Sequence, residues 1–335
     1  MPSVPAPGPG RSVSVIATGS YLPDRVLSNA DLEKMVETSD EWIVSRTGIR
    51  ERRIALPGQA TSDLGLEASR RALAQAGIAA EEVEMIIVAT ITPDMFFPST
   101  ACLIQHALGA KNAFCFDMEA ACSGYLYAIE IAHRFVASGT VNTALVVAAE
   151  KMSSIVDWKD RSTCVLFGDG AGAAVLRSRP GERGILSSVL GADGSLSHLL
   201  SLPGGGSRHP PTLQTISDGL HTLKMAGREV FKHAVNTMSS AATEALRRAG
   251  LTVADVACMI PHQANQRIIS AIAGKLGVPD ANCFVNIDKC GNMSAASLAV
   301  GLDQAVRTGR IRKKDIVLMV VFGGGFTWGA TVIEW

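Results

Sequence analysis

Two kinds of apolar pattern alternate along the chain. Unbroken apolar runs of strand length occur at VSVIATG (13–19), EMIIVATI (84–91), NTALVVAAE (142–150), CVLF (164–167), AAVLRS (173–178), ACMIPH (257–262), DIVLMVVF (315–322) and ATVIEW (330–335). Runs without polar alternation are the mark of strands covered on both faces. Between them lie segments with apolar residues at helical spacing. SDLGLEASRRALAQAG (62–77) predicts an amphipathic helix that stops at Gly77. Strands alternating with helices predict an α/β protein with covered sheets.

The pattern also repeats. ALAQAGIAAEEVEMI begins at Ala72 and ALRRAGLTVADVACM at Ala245; CFDMEAACSG begins at Cys115 and CFVNIDKCGN at Cys283. One pair of Ala-rich helices could match by chance. A second match in the same order at nearly the same offset predicts two duplicated halves rather than a solenoid. Halves packed about a pseudo-twofold bring equivalent turns together, so Cys122 and the segment 288–292 are expected to face one cavity. The stretch 191–218, with GGGSRHPP inside it, reads as a long surface loop of the kind that covers a site.

Composition narrows the class. The 335 residues, 47% hydrophobic, suffice for one large core or two joined ones. Thirty-one basic and 31 acidic side chains cancel, so bulk charge points to neither nucleic acid nor an anionic membrane, while local basic patches stay open. The seven cysteines are odd in number and form no C-x-x-C pair, which argues against a disulfide framework or a metal site and for reduced thiols in the cytoplasm. MPSVPAPGPGR lacks an apolar core and reads as a disordered arm over 1–11 rather than a signal peptide. The longest apolar runs are too short for membrane insertion.

Four segments offer chemistry. In EAACSGYLYAIEIA (119–132), a helix starting near Ser123 would aim its free N–H groups and dipole at Cys122 and favour a thiolate, the form that attacks thioesters. A small buried hydrophobe is the alternative there, and is the reading adopted for Cys102, Cys115, Cys164, Cys258 and Cys283. In IPHQANQRII (260–269), His262 follows a strand end, where α/β sites collect; a surface histidine in a polar turn is the alternative. In IDKCGNMSAAS (287–297), Asn292 is either a turn or cap residue or an amide donor for an oxyanion. In VVFGGGFTWGA (320–330), three glycines after a strand allow close backbone approach to a ligand. FGDGAGAAV (167–175) imitates a nucleotide loop, but AAVLRS follows as a strand where a helix is required, so it is expected to be a tight hairpin.

EAACSGYLYA, PHQAN, CGNMSAAS and FGGGFTWG, in this order, resemble the β-ketoacyl-acyl carrier protein synthase III enzymes, as do TSDEWIVSRTGIRERR (38–53) and DRSTCVLFGDGAGAAVL (160–176). The resemblance covers almost everything after the N-terminal arm. It implies a thiolase-like fold: two βαβαβαββ-type halves, placed here at 12–180 and 181–335, in a five-layered αβαβα core, and a homodimer. It implies a decarboxylative Claisen condensation of a short acyl-CoA starter with malonyl-acyl carrier protein, with CoA thioester as substrate and no cofactor. Cys122, His262 and Asn292 would be catalytic, and the amides of Cys122 and Gly324 the oxyanion hole. Trp42 and Arg161 would sandwich adenine, with Arg46 near the CoA entrance and Asn265 in the pantetheine tunnel. Phe167 would line the acyl pocket and Phe97 would close it across the dimer interface. Lys232, Arg267 and Lys275 would receive the acidic carrier protein. Cys290 and Met293 depart from the family pattern beside Asn292, and Cys290 is read as a packing residue. A related acyltransferase or a condensing enzyme of a secondary-metabolite pathway is the alternative. Met95, Phe96 and Phe97 suggest a pocket partly closed by bulky groups, favouring a short starter.

Overall fold

The computed structural model describes residues 11–179 and 181–335. The expected N-terminal arm lies outside the described residues except for Arg11, whose N–H donates to Ala137 O at 3.1 Å. Nine strands form two main sheets: β1 (Val13–Tyr21), β2 (Met85–Ala89), β3 (Phe114–Met118), β4 (Thr143–Lys151), β5 (Asp169–Ser178), β6 (Ile185–Ala192), β7 (Val256–Pro261), β8 (Ile316–Gly323) and β9 (Thr327–Glu334). The first sheet runs β1-β5-β4-β2-β3 and the second β7-β8-β9-β6. Strand β2 is parallel to β3 and β4, while β5 is antiparallel to β4 and β1. The second sheet repeats this: β7 is parallel to β8, and β9 is antiparallel to β8 and β6.

Among the described residues, seven helices of eight or more residues accompany the strands: α1 (Asp40–Thr47), α2 (Thr61–Ala76), α3 (Thr100–Leu108), α4 (Gly124–Ala137), α5 (Gly227–Ala249), α6 (Gln266–Leu276) and α7 (Ala296–Arg307). Helices α4 and α7 lie between the sheets, where Leu126, Ile129, Leu298 and Leu302 pack with Ile87, Val146, Ile260 and Met319. Helices α2 and α3 cover the far face of the first sheet, and α5 and α6 that of the second. The result is five layers, αβαβα. Strand β8 displays the reason for its unbroken apolar run: Val317, Met319 and Val321 face the central helices, while Leu318, Val320 and Phe322 face α5 and α6.

The repeat is physical. Helix α2 ends on Gly77 (φ 65°) and leads into β2; α5 ends on Gly250 (φ 69°) and leads into β7. The counterpart of β3 is reduced to one bridge, Met259 to Cys283. Close layering needs small residues: a Cβ on Gly172 of β5 would fall 2.6 Å from the main-chain carbon of Ala299 in α7.

Two local expectations are corrected. CVLF is no strand: Arg161–Cys164 is a helical turn, and only Phe167 forms a bridge, to Asn292. FGDGAGAAV is no hairpin: from Asp169 it runs straight on as β5, its small residues facing α2 and α7. The stretch 191–218 holds short helical turns at Gly194–Leu199 and Leu213–Ser217.

Candidate active site

Cys122 sits in a tight helical turn, Ala121–Ser123, that feeds α4. The turn begins with Ala121 at φ 45°, a left-handed value that costs an alanine energy. The β8–β9 turn holds it in place. Thr327 Oγ1 donates to Ala120 O at 2.8 Å, and Gly323 lies so close that a Cβ there would be 2.8 Å from the Cys122 amide nitrogen. Gly324, the sequence candidate, lines the same cavity.

His262 follows β7 directly, and its N–H donates to Val320 O at 2.8 Å, extending the β7–β8 pairing by one residue. Its side chain is buried, and Nδ1 has no partner among the described residues. Asn292 is clamped to the first half: its N–H donates to Leu166 O at 2.8 Å, and Gly168 N–H donates to its carbonyl at 3.0 Å. That clamp takes the main-chain groups a CVLF strand would have used, and the buried Arg52 guanidinium supports it by donating to Val165 O and to Asn29 Oδ1 (2.7 Å). Asn292 Oδ1 accepts from Ser294 N–H at 2.8 Å, which leaves the amide NH2 as the edge free for a ligand. Ser294 has φ 48°, so left-handed non-glycine residues flank both Cys122 and Asn292.

The three side chains line one cavity of about 1220 Å³, together with Phe167, Trp42, Arg46, Asn265, Arg267 and Gly324. Burial sets their resting states. It pushes the Cys122 thiol up to about 12, against a lowering by the Ser294 hydroxyl. Burial thus opposes the thiolate expected from the helix start. Burial alone pushes His262 down to about 4, so the imidazole is neutral.

At the mouth, Trp42 and Arg46 share one face of α1, capped by Ser39, whose side chain accepts from Trp42 N–H at 3.1 Å. The Arg46 guanidinium carbon lies 5.6 Å from the Trp42 ring centroid and that of Arg161 5.2 Å. Arg161 thus rests directly on the indole; it does not itself line the cavity, although Ser162 does. Asn265 caps α6, accepting from Arg267 N–H at 2.8 Å, and its Nδ2 donates to Arg46 O at 3.0 Å, tying the two sides of the mouth together. Lys232 and Lys275 stand exposed on the adjacent helices α5 and α6, outside the cavity, with Lys275 Nζ on Asn236 Oδ1 at 2.6 Å.

Other candidates lie elsewhere. Phe97 is 84% exposed and Phe96 81%; Phe96 borders the cavity, whereas Met95 and Phe97 do not line it. Cys290 is buried among central-layer residues. Cys164 and Cys258 are buried, whereas Cys102, Cys115 and Cys283 are half-buried. Among the described residues no His, Cys, Asp or Glu cluster is arranged to hold a metal, and no helix is long and apolar enough to cross a membrane. Sequence reasoning missed Ser294, Arg228 and the walls formed by Leu200, Phe231 and Met238. It also passed over Glu150, although a carboxylate ending a buried apolar run was a visible signal.

The chain matches family models described as 3-oxoacyl-[acyl-carrier-protein (ACP)] synthase III over residues 116–194 and as its C-terminal part over 246–335. It is 55% identical over 324 residues to the beta-ketoacyl-[acyl-carrier-protein] synthase III of Caldanaerobacter subterraneus subsp. tengcongensis, covering 97% of this chain and 98% of that one. The structure of 3-oxoacyl-[acyl-carrier-protein] synthase III from Aquifex aeolicus VF5 superposes with a TM-score of 0.91 at 47% identity, covering 97% of this chain and all of that one. The priming β-ketosynthase of the R1128 polyketide biosynthetic pathway superposes at 0.92 with 39% identity, covering 99% and 98%.

Proposed function

Because the chain belongs to the β-ketoacyl-[acyl-carrier-protein] synthase III family, with its thiolase-like fold, we propose the following roles in the condensation that initiates fatty-acid synthesis. The enzyme is an acyltransferase that joins a short acyl-CoA to malonyl-acyl carrier protein. Cys122 takes the acyl group and CoA leaves. Malonyl-acyl carrier protein then loses CO₂, and His262 and the Asn292 amide donate to the enolate oxygen. The neutral imidazole suits a donor role, and the Ser294 bond that pins Oδ1 turns the Asn292 NH2 to the same space. The carbanion attacks the acyl-cysteine, with the amides of Cys122 and Gly324 receiving the oxyanion.

Trp42 and Arg161 hold the adenine of CoA. They now lie 5.2 Å apart, and since stacked planes sit about 3.5 Å from each other, Arg161 must swing out to admit a base. Arg46 and Asn265 border the pantetheine path. Lys232, Arg267 and Lys275 face the carrier protein. CoA enters as substrate, and no resident cofactor is assigned. The halves divide near residue 180, since one sheet draws on residues 13–178 and the other on 185–334. The exposed Phe97 suits a homodimer in which it reaches the partner's acyl pocket, beside Phe167. The enzyme is assigned to the cytoplasm. The likeness to the R1128 priming ketosynthase keeps a polyketide-priming role as the second reading.

The carrying observation is that Cys122, His262 and Asn292, from three separate elements, open onto one cavity with a stacked Trp42 at its mouth. Intact-mass measurement after exposure to an acyl-CoA panel, with peptide mapping, tests it. A single adduct at Cys122 that Cys122→Ala abolishes is expected. An adduct at Cys290 would overturn the site assignment. A preference for a branched or longer starter would favour the second reading.

A further inference from the structure

Beside Cys122 lies a buried carboxyl that the chemistry above does not use. Glu150, near the end of β4, is wholly shielded from solvent. Its Oε2 accepts from Thr92 Oγ1 at 2.7 Å, Thr90 Oγ1 at 3.1 Å and Ile91 N–H at 3.1 Å. The threonine hydroxyls are set to donate. Thr92 Oγ1 already accepts from Lys151 N–H (2.9 Å), and Thr90 Oγ1 from Thr92 N–H (3.0 Å). An oxygen receiving three donors has no room for its own proton. A proton on Glu150 therefore sits on Oε1, which is buried and has no partner among the described residues. Ser294 Oγ is likewise buried and without a partner at bonding distance, yet it stands close enough to influence both Glu150 and Cys122. Leaving a buried polar atom without a partner is costly, and Glu150 Oε1 and Ser294 Oγ are two such atoms.

The groups facing Glu150 are Thr90, Ile91 and Thr92 from the segment after β2 and Ser294 before α7, and its charge reaches Cys122 before α4. Lys151, the next residue, turns its amine to Gln59 O instead. Burial lifts the Glu150 carboxyl to about 7, and its negative charge opposes ionisation of Cys122. The pocket disfavours charging both at once.

We propose that Glu150, acting through the Ser294 hydroxyl, receives the Cys122 thiol proton during acyl transfer and returns it during condensation. The proposal rests on the cysteine-acylation reading above. In the first half-reaction the Cys122 S–H bond breaks as sulfur bonds to the acyl carbon. That proton passes to Ser294 Oγ, whose own proton passes to Glu150 Oε1. The acyl carbon–CoA sulfur bond breaks, and the CoA thiolate takes a proton from solvent. In the second half-reaction the carbanion bonds to the acyl carbon and the bond to Cys122 sulfur breaks. The proton on Oε1 then returns through Ser294 to the thiolate. Each turnover takes up one solvent proton, as loss of CO₂ from a malonyl carboxylate requires. Glu150 never touches the acyl group and is a positioning residue.

The test is single-turnover acylation by acyl-CoA, followed by intact mass across the neutral pH range, in the unmodified protein and in Glu150→Gln, Glu150→Asp and Ser294→Ala. The unmodified rate is expected to rise with pH to a plateau with a midpoint near 7, as Glu150 becomes able to accept. Glu150→Gln should acylate about 10²-fold more slowly and lose that midpoint, with Ser294→Ala moving the same way and Glu150→Asp recovering part of the rate. Decarboxylation of malonyl-acyl carrier protein needs no thiol proton and should persist in Glu150→Gln. Acylation by Glu150→Gln with an unchanged rate and pH profile overturns the relay. So does equal loss of both half-reactions in every variant, which marks a structural role. An unmodified protein that takes up no acyl group sinks the underlying reading and the relay with it.

Discussion

At the residue scale, one cause acts on three groups with different signs. Desolvation favours the neutral form, so it raises Cys122 to about 12 and Glu150 to about 7 while lowering His262 to about 4. The His262 shift has a consequence for stability. The unfolded chain binds a proton at this histidine below about pH 6.5, and the folded chain refuses it until about pH 4. The folded state is therefore at full advantage above pH 6.5 and loses it as pH falls toward 4. At about 1.4 kcal/mol per pH unit, that window is worth about 3.5 kcal/mol in full. Denaturant melts of the unmodified protein and His262→Gln at neutral pH and near pH 4.5 check this. The variant should lose about 2 kcal/mol less on acidification, and parallel losses would mean that His262 charges within the fold. NMR should place its imidazole midpoint well below the usual histidine range.

At the element scale, the site depends on how closely two turns approach. Gly323 ends β8 against the Cys122 amide, so Gly323→Ala puts a methyl 2.8 Å from that nitrogen and 3.0 Å from Ser123 N. Neither turn can yield cheaply, because Thr327 and Ala120 bind them together. We expect a loss of about 1–3 kcal/mol in stability and an acylation rate down by more than about tenfold, read by melting and by intact mass. Unchanged acylation would show that the turn can shift without moving Cys122. The same elements mark what the sequence made legible. Runs such as DIVLMVVF announced strands because both faces of each sheet are covered, and the α2–β2 and α5–β7 units announced the duplication because both helices end on a left-handed glycine. CVLF misled because its backbone answers to Asn292, more than a hundred residues on, and FGDGAGAAV because small residues there serve packing against α7 rather than a turn. Cys122, His262, Asn292 and Gly324 were legible from local motifs. Ser294 was not, and Glu150 showed only as a carboxylate ending an apolar run, since the meaning of both arises only where β4, α4 and α7 meet.

At the scale of the whole molecule, zero formal charge conceals an uneven distribution. Arg46, Arg228 and Arg267 border the cavity, and the exposed Lys232 and Lys275 extend that positive rim across α5 and α6. A rim of this kind attracts an acidic protein. Such attraction between exposed charges decays over about 8 Å at physiological ionic strength and about 3 Å in molar salt. KM for malonyl-acyl carrier protein should therefore rise steeply with salt while kcat stays level. Both lysines stand outside the cavity, so their reversal tests the rim apart from the site. Lys232→Glu with Lys275→Glu should raise KM for the carrier protein by about tenfold and flatten its salt dependence. Acylation of Cys122 by acyl-CoA, for which the proposed entry is past Trp42 and Arg46 instead, should change by no more than about twofold. Equal losses toward both substrates would show that these lysines feed the CoA mouth and that the carrier protein docks on another face.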